Sequence, residues 1–194
     1  FMDTPLEKHL YCISLNTGSM PTRITQPGFF HSVTFSSNHP YFIDHFSSAD
    51  KPPAVALRSL DGETISDLAV NELDAGHPYH PYRASRGIVS FGELKAEDGQ
   101  TLHYRLMKPA HLQANEKCPV IVTVYGGPGV QRVTNEWIPA WHHYMTQQGY
   151  ALLQLDNRGT ANRGKQFEDP IHLHMGQIEV ADQLVGVDYL KRLP

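Results

Sequence analysis

Residues 119–124 read Pro-Val-Ile-Val-Thr-Val, and Tyr125 then leads into Gly-Gly-Pro-Gly. No other stretch restricts the fold as much. An apolar run of this length, broken only by Thr123, is the pattern of a strand buried on both faces in the middle of a parallel sheet. Glycines directly after such a strand let backbone approach whatever occupies the sheet's carboxyl edge, because no Cβ stands in the way. Tyr125 offers a phenolic O–H donor at that edge. A phosphate loop is the rival reading of a glycine cluster, but the run lacks the Gly-Lys-Ser/Thr ending.

The neighbouring segments extend this reading. Ile88–Lys95 and Leu102–Met107 are strand-like, with an Asp-Gly hairpin loop between them. A helix is expected over Asn135–Gln148, with Pro139 in its first turn, Trp137, Trp141 and Met145 on one face, and Gly149 as its stop. Tyr150–Leu155 is another buried strand. Gly176–Leu193 is amphipathic, with Ile178, Ala181, Leu184, Val185 and Tyr189 on one side. Its Glu179 and Asp182 are expected as exposed first-turn acids and Lys191 and Arg192 fall late, matching the helix dipole. Hairpin, strand, helix, strand, helix is the order of an α/β sheet.

The region before residue 80 differs in kind. His9–Leu15, Phe30–Phe35, Tyr41–His45 and Ala54–Leu60 are short runs enriched in β-branched and aromatic residues, separated by turn compositions such as Asn16-Thr-Gly and Asp50-Lys-Pro-Pro. Four such strands make one antiparallel sheet, either a free-standing meander or one blade of a propeller. All eleven serines lie between positions 14 and 90. Phe1–His80 carries four Lys/Arg and nine Asp/Glu, against twelve and eleven in Pro81–Pro194. A boundary near 75–83, at Ala75-Gly-His-Pro-Tyr-His-Pro, therefore divides the chain into residues 1–80 and 81–194.

Composition excludes several classes. The 194 residues carry a formal charge of −4, with no basic stripe for nucleic acid, and no apolar run approaches the 18 or more residues of a membrane span. The chain reads as soluble. Cys12 and Cys118 set neither a disulfide pattern nor a metal-ligand spacing, and the twelve histidines are scattered. No metal or cofactor is expected. Cys118, beside Pro119 at the start of an apolar strand, is a poor nucleophile because no His is placed to lower its pKa.

Two further segments then combine with the glycine loop. Tyr125-Gly-Gly-Pro-Gly, Asp156-Asn-Arg-Gly-Thr-Ala-Asn-Arg-Gly and Gly176-Gln-Ile-Glu-Val-Ala-Asp-Gln resemble the prolyl oligopeptidase family of serine peptidases, most closely its bacterial dipeptidyl peptidase IV branch. Upstream, His9-Leu-Tyr-Cys-Ile-Ser-Leu-Asn, Phe30-His-Ser-Val-Thr-Phe-Ser and Tyr41-Phe-Ile-Asp-His-Phe-Ser-Ser-Ala-Asp resemble the last blade of that family's propeller. The likeness runs over nearly the whole chain in the family's order. It implies the last antiparallel β-propeller blade over 1–80, followed by the first part of an α/β-hydrolase domain over 81–194, truncated before the nucleophile elbow.

The resemblance also implies an enzyme that releases N-terminal X-Pro or X-Ala dipeptides through a Ser, Asp and His triad, with peptide as substrate and no cofactor. Tyr125 matches the oxyanion-hole hydroxyl, with Gly126 and Gly127 supplying the backbone of that loop. Asp156, Arg158 and Arg163 fall in the loop after the next strand, where they are expected to satisfy loop backbone groups and each other. No Gly-x-Ser-x-Gly occurs, so the nucleophile, acid and base lie outside this stretch, which is expected to be inactive alone. An oligopeptidase or acylaminoacyl peptidase of the same fold, and a non-catalytic scaffold or binding module, stay open. A homodimeric, periplasmic or secreted parent is implied by resemblance only.

Overall fold

The computed structural model describes residues 5–16 and 18–193. Contacts divide it into two units: 5–81 with Thr134–Ile138, and 82–133 with 139–193.

In the first unit, β1 (Tyr11–Cys12) pairs with β2 (Thr22–Arg23) as a two-residue ladder. The expected strand over His9–Leu15 is thus reduced to two residues and stands outside the main sheet. That sheet runs β3 (Phe30–Phe35), β4 (Tyr41–Ser47), β5 (Ala54–Ser59) and β6 (Thr64–Ala69), each antiparallel to the next. The fourth strand, β6, has no clear alternation in its sequence, and the register explains why. Val55 faces Ala69 and Ala56 faces Asp67, then Leu57 faces Ser66 and Arg58 faces Thr64. Leu68 and Ile65 are the extra residues at the two irregularities, so the apolar side chains of β6 fall out of phase with its pairing.

The interior of this sheet holds charge. Asp44 is fully buried and sits 2.9 Å from Nδ1 of His31, while Nε of Arg58 donates to its other oxygen at 2.8 Å. Nε2 of His31 lies 2.8 Å from the Gln26 carbonyl, and Nη1 of Arg58 reaches the Gly62 carbonyl and Thr64 hydroxyl. Phe46 stacks on the His31 ring and receives the Arg58 guanidinium at 5.4 Å. Each buried polar atom thus has a partner, the condition under which buried charge is tolerated.

Thr134–Ile138 joins this unit through hydrogen bonds. The Asn135 N–H donates to the Leu6 carbonyl, its Oδ1 accepts from the Ala49 N–H, and its amide nitrogen donates to the Gly28 carbonyl. The Trp137 N–H donates to the Ser47 hydroxyl, and the Trp137 ring meets Tyr79 edge-on.

The second unit is built on β7 (Ile88–Lys95), β8 (Thr101–Lys108), β9 (Val120–Val122) and β10 (Ala151–Leu155), in the order β7-β8-β10-β9. Only β10 and β9 are parallel. All five residues of β10 are buried, as expected of a strand with neighbours on both sides. The expectation for Pro119–Tyr125 is corrected: β9 is three residues long, partly exposed, and paired only with β10 among the described residues.

The helices also depart from the sequence pattern. The first, α1 (Ala140–Gln147), begins after Pro139 rather than at Asn135, because a residue preceding proline is disfavoured in helix and Ile138 cannot extend it backwards. Its buried residues are His142, His143 and Thr146; Trp141 is half exposed and Trp137 lies outside the helix. Burial, reinforced by nearby cations that include Arg105 for both, pushes the imidazoles of His142 and His143 down to about 4. After the short α2 (Lys165–Glu168) comes α3 (Ile178–Arg192). Its buried residues are Glu179, Asp182 and Gly186, while Ala181 and Leu184 face outward. Gly186 lets α3 approach β10: a Cβ there would stand 3.1 Å from Leu155 and 3.2 Å from Leu153. Val185 packs with Leu102, Leu155 and Phe167; Tyr189, Leu190 and Leu193 pack with Leu106, Ala151 and Leu153.

Candidate active site

The site is assembled where β9 and β10 end. The ladder between them carries one step past β9, with the Thr123 N–H donating to the Leu153 carbonyl at 2.9 Å. Tyr125 follows, 53% exposed. Gly126 has φ 77° and Gly129 φ 78°, left-handed backbone that favours glycine. The Tyr125 ring lies against Gly127, where a Cβ would approach Cε1 to 3.1 Å. Tyr125, Gly126 and Gly127 therefore form one accessible cluster, a hydroxyl beside backbone with no side chain to screen it.

The loop is tied to the segment after β10. The Gly129 N–H approaches the Gly159 carbonyl at 3.4 Å, and the Asn162 amide reaches Oε1 of Gln131 at 3.3 Å. The Asp156 carboxylate, 1% exposed, accepts the Arg132 N–H at 2.9 Å and the Val133 N–H at 3.1 and 3.2 Å. Burial pushes its carboxyl up to about 6, against the two amides and the more distant Arg163 and Arg105, which pull the other way.

Arg158 and Arg163 take different directions. Arg158 donates through Nε and Nη2 to both oxygens of Asp182 and through Nη1 to Asp98 at 2.6 Å. These hydrogen bonds, Asp182 first, raise its guanidinium above the ordinary value. Arg163 donates to the Thr101 carbonyl at 3.3 Å and lies over the Phe167 ring at 4.9 Å. Burial lowers its guanidinium. The two guanidiniums thus find partners on the β7–β8 hairpin and α3, while Asp156 satisfies loop backbone amides.

The expectation of exposed acids on the last helix fails here. Asp182 is 1% exposed and anchors Arg158, while Glu179 is buried and its Oε2 accepts the Gly176 N–H at 2.9 Å. Gln183 adds two bonds from the same helix, to the Leu155 carbonyl and Oδ1 of Asn157. The sequence signal that could have found these partners is the i, i+3, i+4 spacing of Glu179, Asp182 and Gln183, which puts them on one face of α3.

Among the described residues no group of three His, Cys, Asp or Glu could hold a metal ion, and no helix is long and apolar enough to cross a membrane. A cavity of about 350 Å³ in this unit is lined by residues such as Leu106, Cys118, Val120 and Leu190, and includes none of Tyr125, Asp156, Arg158 or Arg163.

Comparison with known proteins agrees with both units. Residues 138–193 match the prolyl oligopeptidase family, and residues 2–53 match the dipeptidyl peptidase IV N-terminal region. Human dipeptidyl peptidase 8 is 35% identical over 97% of the chain, which spans 22% of that protein. A candidate dipeptidyl aminopeptidase IV from Bacteroides ovatus, known by crystal structure, is 40% identical with a TM-score of 0.77, over 86% of this chain and 23% of its own. Porphyromonas gingivalis dipeptidyl peptidase 4 superposes with a TM-score of 0.87 over the whole chain and 27% of its own, at 23% identity, a likeness of fold alone. The chain thus spans about a quarter of the length of the relatives it matches.

Proposed function

The chain belongs to the prolyl oligopeptidase family, joining part of its propeller region to part of its α/β peptidase domain, and from that premise we propose that it is a stretch of a serine dipeptidyl peptidase that releases X-Pro or X-Ala dipeptides from peptide N-termini. Its part in the reaction is to stabilise the oxyanion. The observation that carries this reading is Tyr125, half exposed three residues after β9, with its ring against Gly127 in a loop where Gly126 and Gly129 take left-handed backbone.

The chemistry follows from that placement. When a serine adds to the scissile carbonyl, the carbonyl oxygen becomes an alkoxide, and a donor already aimed at it lowers the barrier without reorganising. The Tyr125 hydroxyl supplies such a donor, and the unscreened backbone at Gly126 and Gly127 leaves room for the substrate carbonyl. Residues beyond Ser90 include no serine. On this reading the nucleophile and its His and Asp partners are supplied by other parts of the protein, and this stretch does not hydrolyse peptides by itself.

The test is an assay of the whole protein on Gly-Pro and Ala-Pro chromogenic dipeptides, with and without a serine-directed phosphonate. Phosphonate-sensitive release of the chromophore is expected. Hydrolysis of blocked internal peptides with no release from free N-termini would reject the dipeptidyl reading in favour of an oligopeptidase.

A further inference from the structure

We propose that Asp156 is a positioning residue for the loop 125–133, holding Tyr125, Gly126 and Gly127 in place through the backbone amides of Arg132 and Val133. The proposal rests on the reading of Tyr125 as oxyanion donor and adds what sets that donor's position and makes it respond to pH.

The loop carries no helix or strand after β9, so its course depends on its ends and its ties. One end is the β9–β10 ladder; the other is the pair of amides bound to Asp156. Asp156 directly follows β10, so both ends are referred to one buried strand. Among the described residues, the donors on the Asp156 carboxylate are these two amides.

Arg105 on β8 and Arg163 after β10 act on the carboxylate through space, and Arg132 acts through its backbone amide. His103 and Glu93 stand by Arg163, and His142 of α1 by Arg105 and Arg132. Burial outweighs all of these and lifts the Asp156 carboxyl to about 6. Its hydrogen bonds are directed at the amides of two consecutive residues of one loop, which sets the course of that loop.

Protonation changes the tie itself. The carboxylate offers two acceptor oxygens to two N–H groups; the neutral acid gives one of them up to an O–H donor that faces donors. The loop therefore loosens as pH falls through about 6, and Tyr125 with it.

The test compares wild type, Asp156→Asn and Asp156→Ala by nuclear magnetic resonance between pH 4.5 and 7.5, following the Tyr125 ring, the Gly126 and Gly127 amides, and amide exchange at Arg132 and Val133. In wild type the loop signals shift with an inflection near 6. In Asp156→Asn, whose amide oxygen accepts at every pH, that inflection disappears. In Asp156→Ala, Arg132 and Val133 exchange about tenfold faster at pH 7, and the Tyr125 ring signals move. An inflection that persists in Asp156→Asn, or Tyr125 signals unchanged in a folded Asp156→Ala, would overturn the proposal. If the alanine variant does not fold, the asparagine titration decides alone. In the whole enzyme the asparagine variant should remove the Asp156 contribution from the acidic limb of kcat, leaving a limb set by the triad His alone, with KM near wild type. Absence of any peptidase activity would sink the oxyanion reading and leave the spectroscopic result on Asp156 standing.

Discussion

Arg158 is bound to Asp182 by four hydrogen bonds: Nη2 to Oδ1 at 2.7 Å, Nε to Oδ2 at 3.0 Å and to Oδ1 at 3.2 Å, and its own main-chain N–H to Oδ2 at 2.8 Å. One carboxylate on α3 thereby fixes both the side chain and the backbone of the loop after β10. Bidentate pairing of this kind is the strongest geometry available to a guanidinium, and 8% and 1% exposure leave water little share in it.

Removing one partner strands the other. Asp182→Ala is expected to destabilise the chain by about 3–5 kcal/mol, because the Arg158 guanidinium keeps only Asp98. Urea unfolding of the variant measures this. A loss below about 1 kcal/mol, the range of exposed pairs, would mean that the pair is far more solvated than its burial indicates.

Acid should weaken the second unit through α1. The imidazoles of His142 and His143 titrate near 4 in the fold against 6.5 when unfolded. A depressed pKa contributes stability that is present above pH 6.5 and is lost as pH falls towards 4. The His142→Leu variant should therefore lose less stability than wild type between pH 6.5 and 4, as read from thermal midpoints across that window.

Asp156 should act in the opposite sense. Its carboxyl is raised from 3.8 to about 6, so its contribution is fully present below pH 3.8 and is lost as pH rises through 6. The difference amounts to about 3 kcal/mol. The unfolding free energy of wild type relative to Asp156→Asn should rise by up to that amount on going from pH 7 to 4. Denaturant titrations at the two pH values check it, and parallel curves would contradict it.

Tyr125→Phe removes the hydroxyl and keeps the ring against Gly127. In the whole enzyme kcat is expected to fall roughly 10²- to 10³-fold with KM little changed, the pattern of a donor used in the transition state. A fall in kcat below threefold would take the oxyanion role away from this residue.

What the sequence reveals and what it hides follow from how each residue is used. The hairpin β7–β8 was readable from its Asp-Gly loop between two strand-like runs, and β10 from a continuous apolar run that ends up buried at every position. β6 was not, since two register irregularities put Ile65 and Leu68 out of phase with their partners. The α3 boundaries were close to expectation, but its inward face was misread: burial there is decided by Arg158 and the Gly176 amide, which demand acids, and hydropathy cannot represent that demand. The glycine loop was recognisable from residues alone, whereas Asp156's hold on it joins positions 24 apart and exists only once β10 is in place.

Thr134–Ile138 gives the chain an unusual itinerary. It leaves the first unit after residue 81, returns for five residues, and leaves again at Pro139. The two units are therefore not beads separable at one linker. A protein cut after Pro81 would lack the Asn135 bonds to Leu6, Gly28 and Ala49 and the Trp137 bond to Ser47. An excised first unit would have to be supplied with that short strip in trans, and a second unit shortened to remove it would need the gap between Val133 and Pro139 closed by a substitute loop.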